Sequence, residues 1–150
     1  MGLAHARICD AIPVIGVLVV AHGPLGKSLG DALAHVLGAP PAQFAVIEFA
    51  PGDDPTAVLP QARAALAGVD TGDGVLVLCD LYGASPCNLA MKLADPGRVE
   101  VVAGVNLPML VRSFTYRDRP MDVLLRKAVS GGCDGVVHVP NPAHHAAARG

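Results

Sequence analysis

The chain has 150 residues, the usual size of one domain, and is long enough to bury a core without disulfides or a metal. A formal net charge of −2 and a pI near 6.3 leave no basic footprint, and the lysines and arginines are scattered without aromatic interleaving, so nucleic acid is excluded as an expected partner. The longest apolar stretch, 11–21, is about half of the roughly 20 residues that span a bilayer, so no transmembrane helix and no direct membrane insertion are expected.

The chain begins Met-Gly, but Ala6 stands where a myristoylation signal wants Ser or Thr, so no lipid anchor is read there. A secretory signal would carry a longer apolar core and then a small-residue cleavage site; 11–21 is better used as a strand, and 1–13 counts as an N-terminal extension. Hydrophobic residues make up 52% and aromatics 3%, with no Trp, so the core is expected to consist of Val, Leu, Ile and Ala. Such valine-rich runs suit strands buried on both faces.

Apolar runs recur at a regular interval, at 14–21, 44–50, 75–79, 99–105 and, more weakly, 135–139. Each of the first four is followed by a segment that can be helical, the βαβα signature of an α/β fold with an open, doubly wound, mostly parallel sheet and helices on both faces. After the first run, Leu29, Ala32, Leu33, Val36 and Leu37 are spaced by three and four and stop at Gly38, which predicts an amphipathic helix over 27–37. After the second, Asp54 as N-cap, Pro55 at the first position and Gly68 at the end predict a helix over 55–67, with Pro60 implying a kink or a later start. Ser85 as N-cap and Pro86 open a helix over 86–94, and another starts at Pro108 behind Asn106 or Leu107. A last helix covers 121–130 and ends at Gly131-Gly132, a flexible point before the short fifth strand. The domain is thus read as 14–139, and 140–150 as a disordered tail with little to bury.

His22 follows the first run and precedes Gly23-Pro24-Leu25-Gly26; Asp80 ends the third run before Leu81-Tyr82-Gly83-Ala84-Ser85-Pro86. In an open parallel sheet the carboxyl ends of the strands border the ligand crevice, so with the first and third strands as neighbours Asp80 can reach His22. A carboxylate bonded to one imidazole nitrogen fixes the tautomer and leaves the other nitrogen's lone pair as a nucleophile. The glycine turns, the helix N-termini that follow them and the Ser85 hydroxyl suit a phosphoryl group. From position and pairing alone, a satisfied loop histidine and a turn carboxylate fit as well as a catalytic pair.

Three blocks, Gly16-Val-Leu-Val-Val-Ala-His-Gly23, Gly74-Val-Leu-Val-Leu-Cys-Asp-Leu-Tyr-Gly-Ala-Ser-Pro-Cys-Asn88 and Gly104-Val-Asn-Leu-Pro-Met-Leu110, occur in order. Together they resemble the mannose-type enzyme IIA domains of the bacterial phosphoenolpyruvate:sugar phosphotransferase system (PTS), over roughly residues 14 to 139. The resemblance implies a phosphotransferase in which His22 accepts phosphate from the small carrier HPr and passes it to an enzyme IIB. It implies that Asp80 hydrogen-bonds that histidine, that Gly23, Gly83, Ala84 and Ser85 form the phosphoryl-binding turns, and that Asn106 and Pro108 lie in a partner-facing loop. It also implies a homodimer in which the final strand, about 135–139, crosses to the partner's sheet. The chain departs from the family's pattern at Ala84, where a second glycine is usual, and at Cys87, often phenylalanine. Leu81 supplies no hydroxyl where some members have one. Ala84 keeps the turn if its φ is negative.

His35 has no adjacent ligand, His138 falls in the last strand, His144-His145 lack a third ligand, and His5 lies near the start. No metal and no cofactor are expected, since neither a carboxylate cluster nor a His/Cys ligand set is present. A phosphohistidine phosphatase would set arginine beside its histidine, where this chain has Ala21 and Gly23; Gly23-Pro-Leu-Gly-Lys-Ser28 lacks the four-residue gap of a P-loop. Cys9, Cys79, Cys87 and Cys133 include no Cys-x-x-Cys, and small buried hydrophobes in a reducing cytoplasm are expected rather than two disulfides. Two alternatives stay open: a regulatory module without a dedicated transporter, and the phosphoryl-donor subunit of a dihydroxyacetone kinase.

Overall fold

Period-two alternation along the central strands sends their side chains into two separate cores. Leu18, Val20, Val75, Val77 and Cys79 enter one, while Val17, Val19, Ala21, Leu76 and Leu78 enter the other, all fully buried. The computed structural model describes residues 13–142. In chain order it comprises β1 (Gly16–His22), α1 (Leu25–Leu37), β2 (Phe44–Phe49), α2 (Pro55–Val69), β3 (Val75–Cys79), α3 (Ser85–Met91), β4 (Val99–Ala103), α4 (Leu107–Tyr116) and α5 (Met121–Asp134). The strands form one parallel sheet in the order β2-β1-β3-β4. Ala62 and Val69 of α2 and Leu89 and Ala90 of α3 close the first core; Leu33 of α1, Leu110 of α4 and Leu124 and Ala128 of α5 close the second. The fold is the doubly wound α/β sheet that the run pattern predicts.

Several boundaries shift for identifiable reasons. β1 runs on to include His22, whereas β4 stops at Ala103: the Gly104 N–H makes the last ladder bond to the Cys79 carbonyl, and the Val105 N–H turns back to that same carbonyl instead of continuing. α2 passes through Pro60 without interruption; the Asp54 carboxylate caps it at the Thr56 N–H, and burial of Ala62 and Val69 outweighs the one missing donor. α3 begins at Ser85 with Ala84, not Ser85, in the cap position, and ends at Met91.

The largest correction concerns Gly131-Gly132. α5 does not end there but continues to Asp134, because these glycines are where α4 and α5 approach closely. A Cβ at Gly131 would come within 2.8 Å of the Arg112 side chain, and one at Gly132 within 2.7 Å of Met109. Gly131→Ala is expected to cost about 1–3 kcal/mol through overpacking, because its nearest neighbour is the Arg112 Cβ, fixed to the α4 main chain, whereas the Met109 neighbour of Gly132 is a flexible methyl. A lower urea midpoint at unchanged m-value checks this, and an unshifted midpoint would show that the helices part without penalty.

The expected fifth strand is also corrected for the single chain. Residues 135–139 pair with no strand among the described residues, and Val136, Val137 and Val139 are exposed. The prolonged α5 takes up the residues expected as a hinge, and the segment after Asp134 makes no pairing with the sheet, leaving β4 as an edge strand. Residues 1–12 and 143–150, with His5, Cys9, His144, His145 and most of the expected extension and tail, lie outside the described residues.

Candidate functional site

From β1 the chain crosses to β2 on one side and later to β3 on the other, so a crevice opens between the carboxyl ends of β1 and β3. Val20 and Cys79 are the last pair between β1 and β3, which leaves Asp80 and His22 beyond it, His22 still paired with Phe49 of β2 on its other side. Asp80 Oδ2 accepts two hydrogen bonds from His22, from its main-chain N–H at 2.9 Å and from ring Nδ1 at 2.7 Å. Asp80 Oδ1 accepts the Leu81 N–H at 2.9 Å. Donation from Nδ1 selects the tautomer whose lone pair sits on Nε2. The imidazole is 52% exposed while the Asp80 side chain is 10% exposed, so a mostly buried carboxylate holds a ring that solvent and partners can reach.

Burial works against ionisation of Asp80, yet the His22 main-chain N–H, the His22 ring and the Leu81 N–H together outweigh it and hold the carboxyl below its ordinary value of 3.8. A carboxyl whose pKa is lower folded than unfolded stabilises the fold above the unfolded value, and that contribution is lost as pH falls through the folded one. The stability deficit of Asp80→Asn should therefore be complete above about pH 5 and shrink on acidification below about pH 4. Thermal unfolding of both proteins across that range tests this, and a constant deficit would count against it.

The two turns behave differently from simple amide cradles. Gly23 takes a φ of 49°, as the turn requires, but its N–H donates to the Phe49 carbonyl at 2.8 Å. Gly83 takes a φ of 84°, and Ala84 follows at −82°, the negative value that lets alanine replace glycine. The Ala84 N–H reaches back to the Leu81 carbonyl at 3.3 Å. Of the residues expected in the phosphoryl-binding turns, Gly23 and Ala84 thus have their N–H groups engaged within the chain. Ser85 is exposed at the first turn of α3.

Asn106 is committed inward. Its Oδ1 accepts the Met109 N–H at 2.9 Å as the N-cap of α4, and its Nδ2 donates to the Gly132 carbonyl at 3.1 Å. Pro108 is exposed above Gly135. The Gly104 and Val105 N–H groups both donate to the Cys79 carbonyl, at 2.9 and 3.0 Å. These contacts have no signal in the sequence, since they join segments distant along the chain. Leu81 and Tyr82, which read only as turn residues, are 61% and 85% exposed beside Asp80; a leucine and a tyrosine in a turn are the available hint.

Cys79 and Cys87 are buried as expected, but Cys133 is exposed on α5. Burial, with Cys87 alongside, pushes the Cys79 thiol up to about 12, so it is an inert hydrophobe. His35 and His138 are exposed. Among the described residues no three His, Cys, Asp or Glu side chains gather to hold a metal ion, and no helix is long and apolar enough to cross a membrane.

Residues 16–127 match the family described as the PTS system fructose IIA component (EIIA-man). The chain belongs to this family. The mannose-specific EIIAB component of Escherichia coli (strain K12) is 36% identical over 125 residues, covering 81% of this chain but only 38% of that protein's length. The solved structure of the EIIA component from Streptococcus agalactiae superposes with a TM-score of 0.73 at 25% identity, covering 83% of this chain and 96% of that one. The mannose/sorbose specific IIA subunit from Enterococcus faecalis shares the fold, with a TM-score of 0.75 at 24% identity over 86% of this chain and 97% of that one. The EIIA-man match contains both His22 and Asp80.

Proposed function

We propose that this EIIA-man protein is a cytoplasmic phosphoryl carrier in sugar uptake, taking phosphate from phospho-HPr onto His22 and passing it to an enzyme IIB. The observation that carries this reading is the pair itself: ring Nδ1 tied to a mostly buried carboxylate, in a ring that is half exposed and whose Nε2 makes no bond to Asp80. Nε2 attacks phosphorus in line; its lone pair forms the new N–P bond as the bond to the donor's histidine breaks and that electron pair returns to the donor. The imidazole gains positive charge, which Asp80 offsets across the Nδ1 hydrogen bond. Ser85 and Gly83, on the turn that follows Asp80, are the residues to hold the phosphoryl oxygens. The second transfer runs the same steps toward the acceptor.

Incubating the chain with phosphoenolpyruvate, enzyme I and HPr should place an acid-labile phosphate on it, lost on adding an enzyme IIB. No uptake from phospho-HPr would end the reading. The exposed Val136, Val137 and Val139 and the open edge of β4 support exchange of 135–139 between two copies. The full chain is expected to sediment as a dimer at micromolar concentration, and a monomer throughout would remove the exchange.

A further inference from the structure

Asp80 can orient His22 only if its own main chain is held. The preceding residue, Cys79, is fully buried, and its carbonyl accepts the Gly104 N–H at 2.9 Å and the Val105 N–H at 3.0 Å. Because the peptide group is planar, two donors on one carbonyl fix the whole plane between Cys79 and Asp80, and with it the direction in which the Asp80 side chain leaves the main chain. Gly104 reaches this arrangement at a φ of 89°, open to glycine and rare for other residues.

The loop carrying these two amides is anchored at the next residue. Asn106 caps α4 through Oδ1, a task that the oxygen of serine or aspartate performs as well. The asparagine carries its donor on a second atom, apart from the capping oxygen, and Nδ2 uses it on the Gly132 carbonyl in the last turn of α5. The glycine there leaves room: a Cβ at Gly132 would lie 3.5 Å from Asn106 Oδ1 and closer still to Met109. The second bond adds nothing to capping; it ties the loop to a separate helix.

We propose that Asn106 is a positioning residue for the His22–Asp80 pair. By bridging α4 and α5 it holds the adjacent Val105 amide on the Cys79 carbonyl, beside the ladder bond from Gly104, and through that carbonyl the Asp80 carboxylate against the imidazole. For transfer this role rests on the reading of His22 as phosphoryl acceptor; for the geometry of the pair it does not.

Asn106→Asp keeps an oxygen for the Met109 N–H and has no donor for Gly132; Asn106→Ser keeps a capping oxygen whose only proton sits on that same atom, without the separate nitrogen that reaches Gly132, and if one fails to fold the other carries the test. Nitrogen NMR of the histidine rings in the full chain reads the tautomer directly. The neutral His22 ring should carry its proton on Nδ1 in the wild type and become a mixture of tautomers in the Asn106 variants. Transfer from phospho-HPr should slow severalfold in kcat with KM for the donor unchanged. Ser113→Ala is the control: it removes a buried hydroxyl bonded to the Met109 carbonyl in the same helix, and should lower stability while leaving the His22 tautomer intact. A wild-type tautomer in a folded Asn106 variant overturns the positioning role, as does an equal tautomer change in Ser113→Ala. A wild-type chain that takes up no phosphate would instead overturn the acceptor reading and leave the NMR comparison standing.

Discussion

His22→Ala is expected to reduce uptake of acid-labile phosphate from phospho-HPr to background. Alanine offers no lone pair, and the turn on either side contains no second imidazole. The fold should survive, because the ring is 52% exposed and its removal opens no internal cavity. The His22 main-chain N–H and the Leu81 N–H still serve Asp80, so stability should change by no more than about 1 kcal/mol. Radiolabel from phosphoenolpyruvate and an unfolding curve on the same preparation check both halves. Label retained in a folded variant would assign the acceptor to another side chain.

Asp80→Asn should leave His22 in place yet slow its phosphorylation. The amide oxygen can still accept from His22, but the amide NH2 cannot accept the Leu81 N–H, and a neutral side chain no longer balances the positive ring that forms with the N–P bond. A hydrogen bond to a charged partner is worth about 1.5–3 kcal/mol, and each 1.36 kcal/mol of barrier is tenfold, so the rate should fall by about 10- to 150-fold. Single-turnover transfer from phospho-HPr measures this without interference from later steps. A rate equal to wild type would mean that Asp80 merely closes a turn.

The parts of this molecule legible in its sequence are those set by period and punctuation. Val17 to Val20 and Val75 to Leu78 alternate between two cores, and that pattern alone calls for a sheet covered on both sides. Asp54 with Pro55, and Gly38 in its left-handed conformation, mark helix ends at the expected places. The meeting of His22 with Asp80 is legible too, since in a parallel sheet neighbouring strand ends face one crevice. The features that escape such a reading are set by tertiary contact. Gly131-Gly132 reads as a break in one dimension, but against Arg112 and Met109 the missing side chains are what lets a helix continue. Asn106 reads as a loop residue, yet one of its two bonds reaches a helix 26 positions away. The inward turn of the Gly23 N–H toward Phe49 likewise depends on where β2 lies, which no local pattern reports.

The two bonds from His22 to a single oxygen of Asp80 bear on the cost of each encounter. A free imidazole turning about its two side-chain torsions would have to be stilled every time a partner arrived, at about 0.5–1.5 kcal/mol, which is up to roughly tenfold in rate. Here that rotational freedom is given up once, when the chain folds. Any reactant that meets this ring finds it already aimed, and the line of approach is the same for whichever molecule comes first.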